Sequence, residues 1–98
     1  MSEKDVKTEM FDITSIDIYP LLGFFINILS IKAWVYMGLR IDQSKNEITK
    51  DLEKARLTID CISFLIDKIE DQYTTEERMK LRSLLTDLQT NFVQQKSI

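Results

Sequence analysis

Residues 18–31 read IYPLLGFFINILSI, and this uncharged apolar run decides the fold. Asp17 before it is a residue type that caps helix N-termini, and Pro20 is tolerated in a first helical turn. Gly38 suits the left-handed position that ends many helices. We therefore predict a first helix over about residues 18–37. Because a helix that is apolar on almost all sides must be buried all round or lie in a membrane, its surroundings become the central question.

Two further helices are predicted, over about residues 50–72 and 75–95. A polar loop over residues 40–48 separates the first helix from the second, and Thr49 can cap the second. Thr74-Thr-Glu-Glu77 has the spacing of a capping box, which marks the start of the third helix.

The composition indicates one small globular domain. The chain has 98 residues, of which 44% are hydrophobic and 30% charged, and it contains only two glycines and one proline. An all-β fold needs more turn residues than that. We predict one all-α domain over residues 1–98, a three-helix hairpin or bundle, in which the polar residues 1–9 form a disordered tail. A chain of this length buries only ~60–65% of its unfolded surface, and oligomerisation is a common remedy.

The second predicted helix has two apolar faces. One face is a heptad seam typical of core packing: Leu52, Ala55, Ile59, Ile62, Ile66, Ile69 and Tyr73. The other face points roughly the opposite way: Leu57, Cys61, Phe64 and Leu65. The third helix has a single stripe: Leu81, Leu84, Leu85, Leu88 and Phe92. Two such helices cannot surround the first one, so we predict that a homodimer centred on the first helix completes the fold.

Small and polar residues recur along one side of the first helix. Gly23, Asn27 and Ser30 share that side, and such residues let another backbone come close. The predicted oligomer interface comprises Gly23, Asn27, Ser30, Trp34, Leu57, Cys61, Phe64 and Leu65.

A membrane span is the less favoured explanation of the first helix. Its uncharged run is 14 residues long and ends at Lys32, whereas a spanning helix needs ~20 largely apolar residues. The net charge of −3 and the lack of a basic patch argue against nucleic acid as a partner.

The sequence carries no recognisable catalytic chemistry. It has no histidine, which excludes Ser-His and Cys-His nucleophiles and histidine-based metal sites. Cys61, the only cysteine, lies among apolar residues and is interpreted as a small hydrophobe. We predict a protein that is not an enzyme and has no catalytic residue, no cofactor and no metal site. The single cysteine and the N-terminus, which lacks signal-peptide features, predict a cytoplasmic location.

Several stretches carry a family resemblance. They are AWVYMGL at 33–39, EITKDLEKA at 47–55, TID at 58–60, TEE at 75–77, LL at 84–85, DLQ at 87–89 and FV at 92–93. Over roughly residues 22–94 the chain resembles a bacterial family known as domain of unknown function 1844. The resemblance implies a helical, cytoplasmic bacterial domain, and it transfers no catalytic residue because the family has no assigned activity.

Polar positions within the resemblance have a structural interpretation. Asp51 is expected to support the start of the second helix, and Asp60 to be solvated or to pair with Arg56 one turn earlier. The less favoured alternative is a polar contact with a partner or with Arg40 of the loop. The loop departs from the family pattern, since Lys45-Asn46 stands where a glycine is usual.

Three functions stay open. The favoured one is a homo-oligomeric interaction or scaffold module, with an unidentified protein partner as a further option. A second is a binding module for an apolar small molecule or acyl chain, in a helix-lined cavity. Its lining would comprise Phe24, Phe25, Trp34, Met37 and Phe64. A third is a small membrane-associated protein anchored through the first helix.

Overall fold

The computed structural model describes residues 12–98 and confirms the all-α prediction. Three helices make up the fold: α1 (Ile18–Tyr36), α2 (Leu52–Ile69) and α3 (Thr75–Ser97). Two 3-10 turns accompany them, at Ile13–Ser15 and Glu70–Gln72. Residues 12–98 contain no β-strand. The predicted tail over residues 1–9 lies outside the described residues.

Local chemistry sets the two ends of α1 and the start of α3 as predicted, while α3 runs two residues further than predicted, to Ser97. The Asp17 carboxylate accepts the backbone N–H of Tyr19 at 3.4 Å and caps α1. Gly38 follows the end of α1 with a φ of +79°, the left-handed conformation expected there. Thr74 and Glu77 form the reciprocal capping box, with the Glu77 N–H donating to the Thr74 hydroxyl at 3.1 Å.

The start of α2 differs from the prediction. The helix begins at Leu52 and not at residue 50, and its N-cap is Asp51 and not Thr49. The Asp51 carboxylate accepts the N–H of Lys54 at 3.1 Å. Asp51 also donates its own N–H to the Tyr36 carbonyl at 2.8 Å, which ties it to the end of α1. Asp51 has the extended backbone of an N-cap (φ −142°, ψ 91°), so the helical conformation begins at the next residue, Leu52.

The loop between α1 and α2 contains a tight turn over residues 42–47. Asp42 and Glu47 pair through their backbones, and the Asp42 carboxylate accepts the N–H of Ser44 at 3.0 Å. Asn46 closes the turn with a φ of +54°. Asparagine is one of the few residues other than glycine that adopts this left-handed conformation readily. The loop therefore tolerates the absence of the glycine expected from the family resemblance.

The core is built around α2, which packs against both other helices, while α1 and α3 contact each other little. The predicted seam is buried over Ala55, Ile59, Ile62, Ile66 and Ile69. The seam packs against Ile26 and Ala33 of α1 and Met37 directly after α1. It also packs against Leu85 and Leu88 of α3. The described chain consequently covers only one side of α1.

A hydrogen bond from Tyr73 links the connection between α2 and α3 to α1. Its hydroxyl donates to the Tyr19 carbonyl at 2.9 Å. A Cβ atom at Gly23 would lie 2.7 Å from the same hydroxyl oxygen. The absence of a side chain at Gly23 therefore allows the Tyr73 side chain to lie against α1.

We expect Gly23→Ala to be more favourable in a Tyr73→Phe background than in the native one, by about 1–2 kcal/mol. In the native chain the new methyl group displaces the Tyr73 hydroxyl and breaks its hydrogen bond. In the Phe background only the helix-forming advantage of alanine over glycine remains. Urea unfolding of the four variants measures the coupling. Asn27→Ala, at an exposed position of α1, is the control and should change the free energy of unfolding by the same amount in both backgrounds. If Gly23→Ala also has the same effect in both backgrounds, the contact between Gly23 and the Tyr73 hydroxyl is contradicted.

An ion-pair cluster joins α3 to the end of α2. The Arg82 guanidinium donates from Nε to Glu70 Oε1 at 3.0 Å and from Nη2 to Asp67 Oδ1 at 2.7 Å, and it also contacts the second Glu70 oxygen. The Arg82 hydrogen bond holds the pKa of the Glu70 carboxyl below its ordinary value. The two carboxylates in turn raise the pKa of Arg82.

This cluster predicts acid sensitivity. Because the pKa of Glu70 is lower in the folded chain, its contribution is complete above the unfolded pKa and is lost as pH falls through the folded pKa. We expect the melting temperature of Glu70→Gln to fall less than that of the native chain between about pH 5 and pH 3. Asp87→Asn removes an exposed carboxylate of α3 outside the cluster and is the control. Parallel thermal melts of all three proteins measure the difference; identical slopes for Glu70→Gln and the native chain would contradict it.

Candidate interaction surface

The structure places most of the predicted small-residue line of α1 on its inner side. Gly23 faces Tyr73, and Ser30 is buried with its hydroxyl donating to the Asn27 carbonyl at 2.7 Å. Trp34 is half-buried against the core. Of this line, Asn27 alone is exposed. The close approach that small residues permit is therefore made within the chain, by Tyr73, and these inner positions are not available as a free surface.

The opposite side of α1 is apolar and exposed. We define the outer stripe as Leu21, Phe24, Phe25, Ile28 and Ile31. Leu21 is half-buried, and the other four side chains are 42–56% exposed. The rings of Phe24 and Phe25 lie 6.5 Å apart between centroids, so they are neighbours on this surface. The sequence pattern missed the stripe because α1 has no polar face to show which side points outward.

The second apolar face of α2 is exposed as well. Leu57 is 64% exposed, Phe64 is 59% exposed and Cys61 is exposed, while Leu65 is half-buried. The Lys68 ammonium lies 5.2 Å from the centroid of the Phe64 ring. We call Leu57, Cys61, Phe64 and Leu65 the α2 patch. Its position follows from the heptad seam, which fixes the inward side of α2.

A shallow groove connects the two exposed regions. Leu29 of α1 and three members of the α2 patch line it, namely Cys61, Phe64 and Leu65, with the exposed Asp60 at its edge. Phe25 of the outer stripe lies one helical turn before Leu29. The outer stripe, the groove and the α2 patch therefore form one apolar surface across α1 and α2. Contiguous exposed apolar surfaces of this kind mark interaction sites.

The apolar residues that were expected to line a ligand cavity do not surround one space. Phe24, Phe25 and Phe64 are exposed, Trp34 is half-buried and Met37 is completely buried.

The Arg56 and Asp60 side chains approach to 4.0 Å as a solvated pair, consistent with the structural interpretation of Asp60. Over residues 12–98 no group of three histidine, cysteine or acidic residues is placed to hold a metal ion.

α1 also has the dimensions of a membrane helix. In the part of the chain that the structure describes, it is the one helix whose length and composition would allow it to cross a bilayer. Only four of its nineteen residues are buried: Ile26, Ser30, Ala33 and Val35. Its apolar character is thus not explained by burial against the rest of residues 12–98.

The fold and this surface define a small all-α protein with an uncovered apolar side. The family model described as Domain of unknown function (DUF1844) matches residues 20–94, and the chain belongs to that family. The family resemblance seen in the sequence is confirmed. Comparisons with curated proteins and with solved structures give no match.

Proposed function

We propose that this protein is a non-catalytic, homo-oligomeric interaction module that forms a dimer through its apolar surface. The outer stripe carries the proposal, because four large apolar side chains on one helix are 42–56% exposed. Burial of a fully exposed side chain of this size is worth about 1.5–3 kcal/mol, so covering the exposed half of each is worth about 1 kcal/mol. A symmetric dimer would bury each of them twice, which offsets the thin stability of a short chain.

A second copy explains the surface better than a bilayer does. Ile26, Ala33 and Met37 pack into the core with α2, so a spanning α1 would have to give up that packing. Lys32 lies beside the outer stripe, and the net charge of −3 opposes adsorption to anionic lipid. The same acidic charge opposes nucleic acid as a partner. We place the module in the cytoplasm, where the exposed Cys61 thiol would stay reduced.

Native mass spectrometry of the full chain tests the proposal and separates it from ligand binding. We expect a dimer with no added mass. A monomer carrying a co-purified small molecule would contradict the proposal in favour of an apolar ligand in the groove lined by Leu29 and Leu65.

Flotation with phosphatidylcholine vesicles tests the membrane alternative. We expect the protein to stay in the soluble fraction as a dimer. A protein that floats with the vesicles and is monomeric in their absence would overturn the proposal and assign the outer stripe to lipid.

A further inference from the structure

Opposite charges bracket the outer stripe. Asp17 directly precedes α1, and Lys32 follows Ile31, with no charged residue between them. At ~100° per residue both charges lie within about 50° of the centre of the stripe. Both residues are exposed. Asp17 makes only a long 3.4 Å cap bond to the Tyr19 N–H, and the Lys32 ammonium lies 4.8 Å from the Tyr36 ring centroid. Each charge therefore stays accessible to a partner.

The outer stripe is complementary to the outer stripe of a second copy that runs in the opposite direction. If two copies of α1 run antiparallel about an axis between Phe24 and Phe25, apolar residues face apolar residues and each charge faces its opposite. The matched pairs are Phe24 with Phe25, Leu21 with Ile28, Ile18 with Ile31, and Asp17 with Lys32. The fourteen residues from Ile18 to Ile31 fill the space between the two charged pairs.

A parallel arrangement lacks this complementarity. It would set Asp17 against Asp17 and Lys32 against Lys32, and like charges across an interface disfavour association. It would also align the two helix dipoles, whereas antiparallel helices place each positive end near a negative end.

We infer that two copies of this chain associate through antiparallel α1 helices, with Phe24 and Phe25 at the two-fold axis and Asp17 of each copy beside Lys32 of the other. This inference rests on the proposed function and specifies the arrangement of its interface. Such an interface is isologous, so it closes at two copies and does not extend into a filament.

Disulfide trapping distinguishes the two arrangements. In a Cys61→Ser background, Leu21→Cys and Ile28→Cys proteins are mixed at a concentration above the dissociation constant and oxidised. We expect the mixed 21–28 link to form faster than either like-with-like link. Faster 21–21 and 28–28 links would overturn the antiparallel arrangement and leave the dimer standing. A protein that sediments as a monomer and forms no link would overturn the dimer and its arrangement together.

A charge cycle tests the pairing of Asp17 with Lys32. Asp17→Asn keeps a good helix cap while removing the charge, and Lys32→Gln removes the opposite charge. We expect each change to raise the dissociation constant roughly 2- to 30-fold, since the contact occurs twice in the dimer. The two changes together should cost little more than either alone. Fully additive effects would overturn the pairing, and Lys80→Gln, on an exposed position of α3, is the control that should change nothing.

Discussion

Replacing Phe24 by aspartate is expected to weaken self-association by at least about 100-fold while leaving the three helices intact. Phe24 is 56% exposed in the single chain, so the substitution removes little core packing. In the proposed dimer the side chain is central and occurs twice. Because Phe24 is already partly buried in the single chain, each copy would lose about 1–1.5 kcal/mol of apolar burial, and it would also bring an unpaired carboxylate into the interface.

Sedimentation equilibrium measures the dissociation constant, and circular dichroism measures the helix content. Met79→Asp is the matched control, because Met79 lies on α3 outside the apolar surface and is 67% exposed. It should dimerise as the native chain does. An unchanged dissociation constant for Phe24→Asp would remove the outer stripe from the interface.

Truncation of Ile62 to alanine should cost about 2–5 kcal/mol of the free energy of unfolding. Ile62 lies in the middle of the α2 seam and is completely buried. The surrounding helices cannot fully close the cavity that the truncation leaves. For a domain whose stability is about 5–15 kcal/mol in total, this loss is a large fraction.

The measurement is denaturant unfolding in a Phe24→Asp background, so that dimerisation does not add to the stability. Leu57→Ala is the control on the same helix. Leu57 is 64% exposed, and its truncation should change the stability by less than about 0.5 kcal/mol. A Leu57→Ala cost equal to that of Ile62→Ala would mean that α2 packs through the opposite face.

Features that depend on neighbouring residues could be predicted from the sequence. The caps at Asp17 and Thr74 and the end of α1 at Gly38 are local chemistry, and they lie where the pattern puts them. The α2 patch could also be predicted, because the alternation of Ile59, Ile62 and other seam residues leaves only one direction for Leu57 and Phe64. The start of α2 could not, since Thr49 and Asp51 are both residue types that cap helices, and only the structure shows that Asp51 has the extended backbone of the cap.

The orientation of α1 was beyond the reach of the sequence. Its apolar residues surround the helix, so periodicity does not distinguish Ile26, which is buried, from Ile28, which is 42% exposed. The small residues were interpreted as a line of contact with a second copy, whereas the group that lies against Gly23 in the structure is the Tyr73 side chain. Tyr73, which lies beside Gly23, is bonded to a carbonyl 54 positions away in the chain. Only the tertiary structure shows that Tyr73 makes the close approach to Gly23 and that the rest of residues 12–98 leaves the opposite stripe exposed.

The covering of the outer stripe also links association to stability. If a second copy covers the stripe, only folded chains gain from the contact, and the melting temperature must rise with protein concentration. The apolar character of α1 would then serve both the core, through Ile26 and Ala33, and the interface, through Phe24 and Phe25.

The central claim is that a second copy of this chain covers the outer stripe of α1. Sedimentation equilibrium of the unmodified full chain, over a dilution series through the micromolar range, tests it most directly. We expect a particle of twice the 11.5 kDa mass of one chain that dissociates reversibly on dilution. A particle of 11.5 kDa at every concentration, with the helix content unchanged, would contradict the claim.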